Sequence, residues 1–298
     1  MHKRYFHIFF ILIISFSFLL AQNDSIGVNN GTINIPINHG CFPELPQANH
    51  TNYKGRKIVL AGSSAVLATG SLIYLNQAWY QQYNTGKFHF FNDNNEWLQM
   101  DKVGHLFSNY QMARLMMGSF KWAGFTKKKQ LFIGGTIGLG YMTAVEVMDG
   151  FSKGWGFSYG DEIANVLGAA LAISQHAYWN EQRIQLKFSY SQSGLAKYNP
   201  DLLGESFSTQ ILKDYNSQTH WLSINPTGFI KKENKFPKWL NVAFGYSAYG
   251  MLAGTYNNFT VQDADGNVFK FERERRFYFS LDVDLKRIKK RYKFFKKV

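Results

Sequence analysis

Three consecutive apolar segments rich in glycine and alanine carry polar side chains at set places, and this combination most restricts what the chain can become. Asp101, Lys102 and His105 fall in the first segment, Glu146 and Asp149 in the second, and Asp161 and Asn165 in the third, with Ser158 just ahead of it. Groups that are costly to bury persist on apolar helices when they satisfy one another or do chemistry. The segments are therefore expected to pack through their small residues, with the polar set at the centre of the fold.

Hydrophobic periodicity predicts helices over about 58–75, 96–117, 131–148 and 158–180. The first is apolar but loaded with small residues, from Ala61 and Gly62 to Gly70 and Ser71, and reads as a buried helix of a bundle. Membrane insertion is the alternative, since its length just spans a bilayer. Gly134 and Gly138 in the third helix, and Ala164, Gly168 and Ala172 in the fourth, form stripes for close helix contact.

Past Glu181 the period changes to two. Ile184, Leu186, Phe188 and Tyr190 alternate with polar residues, as do Leu240, Val242, Phe244 and Tyr246, and then Phe277, Phe279, Leu281 and Val283; 222–224 adds a fourth short run. Asp265-Gly266 reads as a hairpin turn. The expected class is α+β: a small-residue-rich four-helix unit followed by an antiparallel β meander. Four visible strands fall short of the roughly eight that close an outer-membrane barrel, so the sheet is expected to pack on the helices, with lipid contact as the alternative.

Met1 to Arg4 is basic, an apolar run follows, and Ala21 closes it, so 1–21 reads as a secretory signal peptide. The one cysteine, Cys41, lies well past that cut, which argues against an N-terminal lipid anchor and an internal disulfide. The resulting order is an irregular segment 22–53, a helical domain 54–182, a β region 183–285 and a basic tail 286–298. A formal charge of +13 on an exported chain points to anionic lipid or envelope glycan as partner, and away from nucleic acid.

The polar residues admit a chemical reading. Asp101 and His105 lie one helical turn apart on one face, where a carboxylate can orient an imidazole for general-base work or metal binding. Glu146 and Asp149 sit near a helix C-terminus, against the macrodipole, and call for a partner such as Lys102, Arg114 or His105. Ser158 and Asp161 have the spacing of a helix cap, and Asn165 that of an interhelical hydrogen bond. No paired-Cys, His-x-x-Glu-His or Gly-x-Ser-x-Gly motif fixes a metal, cofactor or serine nucleophile.

The order Asp101-Lys102-x-x-His105, Glu146-x-x-Asp149-Gly150-Phe151-Ser152 and Gly156-x-Ser158-x-x-Asp161-x-x-x-Asn165-x-x-Gly168 resembles the YfiM-type family of predicted periplasmic lipoproteins. The resemblance spans about 96–180 and continues through Tyr198-Asn-Pro-Asp-Leu-Leu-Gly204, Lys213-Asp-Tyr-Asn216 and Pro237-Lys-Trp-Leu240. More distantly, the same order is similar to the membrane-embedded VanZ-like proteins, which are linked to glycopeptide-antibiotic tolerance. These resemblances imply a location in the periplasm or outer membrane of a Gram-negative-type envelope, and no established reaction. Two functional readings follow. In the first, a membrane-associated structural or binding protein is locked by a buried polar cluster. In the second, an envelope lipid- or glycan-processing enzyme uses His105 as base or ligand, Asp101 to orient it, and Glu146 or Asp161 as acid or ligand.

Overall fold

The computed structural model describes residues 52–76, 86–230, 236–257, 260–262 and 268–288. The expected signal peptide, Cys41, the Asp265-Gly266 turn and most of the basic tail lie outside the described residues. The chain forms two compact units, Met1–Phe91 with Gln111–Glu181, and Asn92–Tyr110 with Gln182–Val298. This grouping departs from simple chain order, because residues 92–110 associate with the β region.

In the first unit, helix α1 (Tyr53–Leu75) is capped by Asn52, whose side chain accepts the Gly55 N–H at 2.9 Å. The C-terminal half of α2 (Met100–Trp122), α3 (Ile137–Gly150) and α4 (Tyr159–Trp179) complete it. A short helical lead-in, Lys127–Lys129, and a wide turn, Gln130–Gly134, precede α3, so the expected third helix is broken at its start. Close packing accounts for the glycines there. A Cβ on Gly134 would sit 3.1 Å from Met117 Cα, and one on Gly135 would sit 2.5 Å from Ile173 Cγ1. The α4 stripe of Ala164, Gly168 and Ala172 is buried as expected.

Helix α1 overturns the expectation of a buried bundle helix. Of its 23 residues, Leu60 and Ser71 are the buried ones. Val66 is 72% exposed and Ile58 65%, and a Cβ at Gly62 or Gly70 would meet no atom within 4 Å. At Gly62 and Gly70 the small residues draw no neighbour onto the helix among the described residues. Leu60 packs with Phe120 and Ala123, Arg56 donates to the Trp122 carbonyl at 3.1 Å, and Tyr141 donates to Ser71 Oγ at 2.8 Å.

The second unit contains the meander. Strands β1 (Ile184–Tyr190), β2 (Gln218–Ile224), β3 (Leu240–Tyr249) and β6 (Glu274–Val283) pair antiparallel in the order β1-β2-β3-β6. Short strands β4 (Val261–Gln262) and β5 (Val268–Phe269) pair separately and bracket the expected turn. The register aligns Leu186, Leu222, Phe244 and Phe279 across one face. Two short helices, α5 (Pro200–Leu203) and α6 (Phe207–Lys213), stand between β1 and β2. Leu195, Ala196, Leu203 and Leu252 form one core cluster, and Met100, Ala248 and Met251 another.

The two sheet faces reverse the usual order of burial. On the polar face Ser223 and Asn241 are fully buried, whereas on the apolar face Phe277 is 75% exposed and Phe279 68%. Burial of the polar face is possible because its groups bond one another. Asn241 donates to Ser223 Oγ at 2.9 Å, Ser223 donates to Asp282, Asn225 donates to Asn241 Oδ1 at 2.6 Å, and Lys187 pairs with Asp282.

Candidate functional site

The residues singled out in the sequence divide between the two units: Asp101, Lys102 and His105 belong to the second, and Glu146, Asp149, Ser158, Asp161 and Asn165 to the first.

In the second unit the approach to α2 is unusual. Trp97, Leu98 and Gln99 have φ of 47°, 49° and 64°, three successive non-glycine residues in the left-handed region, so the helix expected from 96 starts at Met100 instead. Each such residue costs roughly 1–2 kcal/mol and persists only where its surroundings hold it. Here the Trp97 N–H donates to Gly254 O at 2.7 Å, Tyr246 donates its hydroxyl to Leu98 O, and Arg275 donates to Gln99 Oε1 at 2.6 Å.

This turn sets the first turn of α2, where Asp101 is favourably placed at a helix N-terminus. Tyr215 donates its hydroxyl to Asp101 Oδ1, and His105 Nε2 lies 3.8 Å from the same oxygen. That separation is an electrostatic contact and exceeds hydrogen-bond length, so Asp101 biases His105 by charge while Tyr215 fixes the carboxylate. Lys102 pairs with Asp93 at 2.8 Å. Burial, followed by the charges of Asp93 and Asp101, pushes the Glu96 carboxyl above its ordinary value, and Lys102 opposes the shift. The arrangement is a half-buried acidic cluster beside an imidazole, and Asp101 with His105 supplies two donors of the kind a divalent transition metal takes.

In the first unit the polar residues join α3 to α4. Ser158 caps α4 by accepting the Asp161 N–H at 3.1 Å, and its own N–H donates to Glu146 Oε2 at 3.3 Å. Glu146, Ser158, Asp161 and Asn165 are all buried. Asp149 accepts from the Trp155 indole. Asn165 donates to Glu162 Oε2 at 3.4 Å along its own helix, and Thr143 of α3 donates to Glu162 Oε1 at 2.8 Å, so Glu162 carries one link between the helices.

Sequence reasoning missed Asp93, Glu96, Glu162 and Tyr215 as members of these clusters. Tyr215 stands 114 positions from Asp101, and its one signal was its place in the Lys213-Asp-Tyr-Asn216 run. Glu162 was hidden by its position in the first turn of α4, where an acid needs no further reason.

Fold and clusters together define an α+β protein with polar clusters at helix starts and ends and a buried polar network on one sheet face. Residues 89–177 match the family model described as Predicted periplasmic lipoprotein (DUF2279), the family that the Asp101 to Gly168 order resembles. The match covers under a third of the chain, and the family it points to is described by location, consistent with an exported protein in the periplasm or outer membrane. No curated protein and no solved structure matches it.

Proposed function

We propose that this protein is a membrane-embedded structural or binding component of the envelope, held in the bilayer by its first unit. The observation that carries this reading is the exposed apolar surface of α1 and of the span Lys127–Gly150, both long and apolar enough to cross a membrane. Ile163 at 60% exposed and Leu167 at 54% extend that surface to α4. The ends of the unit fit membrane interfaces. Both spans begin among cations, with Lys57 and Lys129 over the Phe125 ring at 5.0 and 5.8 Å. The far end of α3 meets an aromatic group in which Phe88 packs on Phe151 and Phe90 stacks on Tyr159. Bonded polar groups between α3 and α4 are what a bilayer tolerates inside a bundle. Alkaline carbonate washing of membranes tests the proposal. The protein should stay in the pellet and leave it only with detergent; release by carbonate alone would refute insertion.

The enzyme reading keeps one specific support, the strained turn that delivers Asp101 to Tyr215 and His105. Its test is Asp101→Asn and His105→Ala in cells that need the protein. Loss of the cellular phenotype from a fully stable protein would favour chemistry, whereas loss only in proportion to lost stability would favour a structural cluster.

A further inference from the structure

The second unit contains an apolar groove of about 260 Å³ between the first turns of α2 and the sheet. Val103, Leu106 and Phe107 form one wall, and Leu186, Tyr246 and Phe277 the other. Its volume is below the roughly 300–1,000 Å³ of drug-sized ligand sites, which suits a length of hydrocarbon chain better than a head group. His220 also lines it, packed edge-on against Phe107 and Phe188 at 5.5 and 5.4 Å, and its Nδ1 finds no hydrogen bond among the described residues. Burial holds this imidazole down to a pKa of about 4, so the groove is uncharged at neutral pH.

The groove is continuous with a wider apolar surface. From Phe277 in its wall, Phe279, Leu281 and Val283 follow along the same face of β6, at 68%, 64% and 42% exposure. At about 3.4 Å per residue the row is roughly 20 Å long. In sequence it leads through exposed Leu285 into the segment from Lys286 to Lys297, which has eight Lys or Arg and no acid. An uncharged slot, an apolar strip and a block of cations in succession match one amphiphile: a hydrocarbon chain on an anionic head.

We propose that this groove binds an acyl chain of an anionic membrane lipid, with the β6 row lying on the bilayer. The inference deepens the membrane reading but rests on residues of the second unit alone, so each can fail without the other. The test is photolabelling of the full-length protein in bilayer discs, with phosphatidylglycerol or phosphatidylcholine carrying a diazirine in one acyl chain, and mapping of labelled peptides. The phosphatidylglycerol probe should label 103–107 and 218–224 more strongly than the phosphatidylcholine probe. Leu106→Trp, which fills the groove, should lower that labelling on the order of tenfold, a shift of about 1.4 kcal/mol, and leave labelling of α1 unchanged. Leu106→Phe serves as a milder filling should the larger residue disturb folding. Label confined to Phe279 and Leu281, equal labelling by both lipids, or labelling insensitive to both fillings would overturn the proposal. Groove labelling with α1 unlabelled would sustain it and refute insertion of the first unit.

Discussion

At the scale of single residues, the second unit is governed by groups whose protonation the fold has fixed. His220 is neutral when folded, with its pKa lowered by burial from 6.5 to about 4. The unfolded chain therefore binds a proton between these values that the folded chain refuses, and stability falls as pH drops through that window. The loss should approach about 3 kcal/mol near pH 4 at 1.36 kcal/mol per unit, and thermal melts of His220→Phe should lack this slope. Asp282 acts at lower pH. Burial alone would raise its carboxyl, but hydrogen bonds from Lys187 and Ser223, with the lysine charge, outweigh it and hold the group below its ordinary 3.8. Its contribution is present above that value and is lost as pH falls further, so Asp282→Asn should weaken the protein at neutral pH and flatten the extreme acid limb of its stability profile. Removing the fully buried Asn241 side chain by Asn241→Ala should cost about 1–3 kcal/mol in chemical denaturation, since it strips partners from Ser223 and Asn225. None of these groups stood out in the sequence. An asparagine or aspartate in an alternating strand reads as a solvated polar position, and only the pairing of distant strands shows that the polar face is buried; His220 is buried on the opposite face, among Phe107, Phe188 and Tyr246.

At the scale of elements, local signals were legible and distant ones were not. Ser158 was read as a cap from its spacing to Asp161, and it caps; Ser158→Ala should cost about 1 kcal/mol in a thermal melt, with circular dichroism showing looser α4 helicity. The strands from Ile184 and Leu240 begin where alternation placed them, because period two depends only on neighbours. The small-residue pattern around Gly134 announced a close approach, and Gly134→Val should destabilise the first unit by about 1–3 kcal/mol as its side chain meets Met117. The left-handed turn at Trp97, Leu98 and Gln99 was not legible. No glycine marks it, and the groups that hold it, from Tyr246, Gly254 and Arg275, lie far along the chain. The wide turn before α3 escaped for a similar reason, since apolar composition continues through it without a break.

At the scale of the whole molecule, each unit keeps apolar core clusters yet also exposes long apolar rows and buries bonded polar groups. Composition could not reveal this, because the same residues build a dry core and a lipid-facing surface; exposure decides between them. In the first unit the exposed face of α1 and the cations and aromatics at opposite ends of its helices are consistent with a bilayer, and in the second the reversed sheet gives the same sense. The resemblance of residues 89–177 is consistent with a place in the envelope and leaves this molecule's contact with lipid to be measured directly. The decisive measurement is water accessibility at Val66, the most exposed large apolar residue of α1 at 72%. In a Cys41→Ser background, Val66→Cys in intact membranes should resist a membrane-impermeant maleimide, while Lys128→Cys at the cationic end should react, and detergent should make both reactive. Equal and rapid labelling of Val66→Cys and Lys128→Cys before detergent would mean that α1 faces water, and the membrane-embedded reading would be wrong.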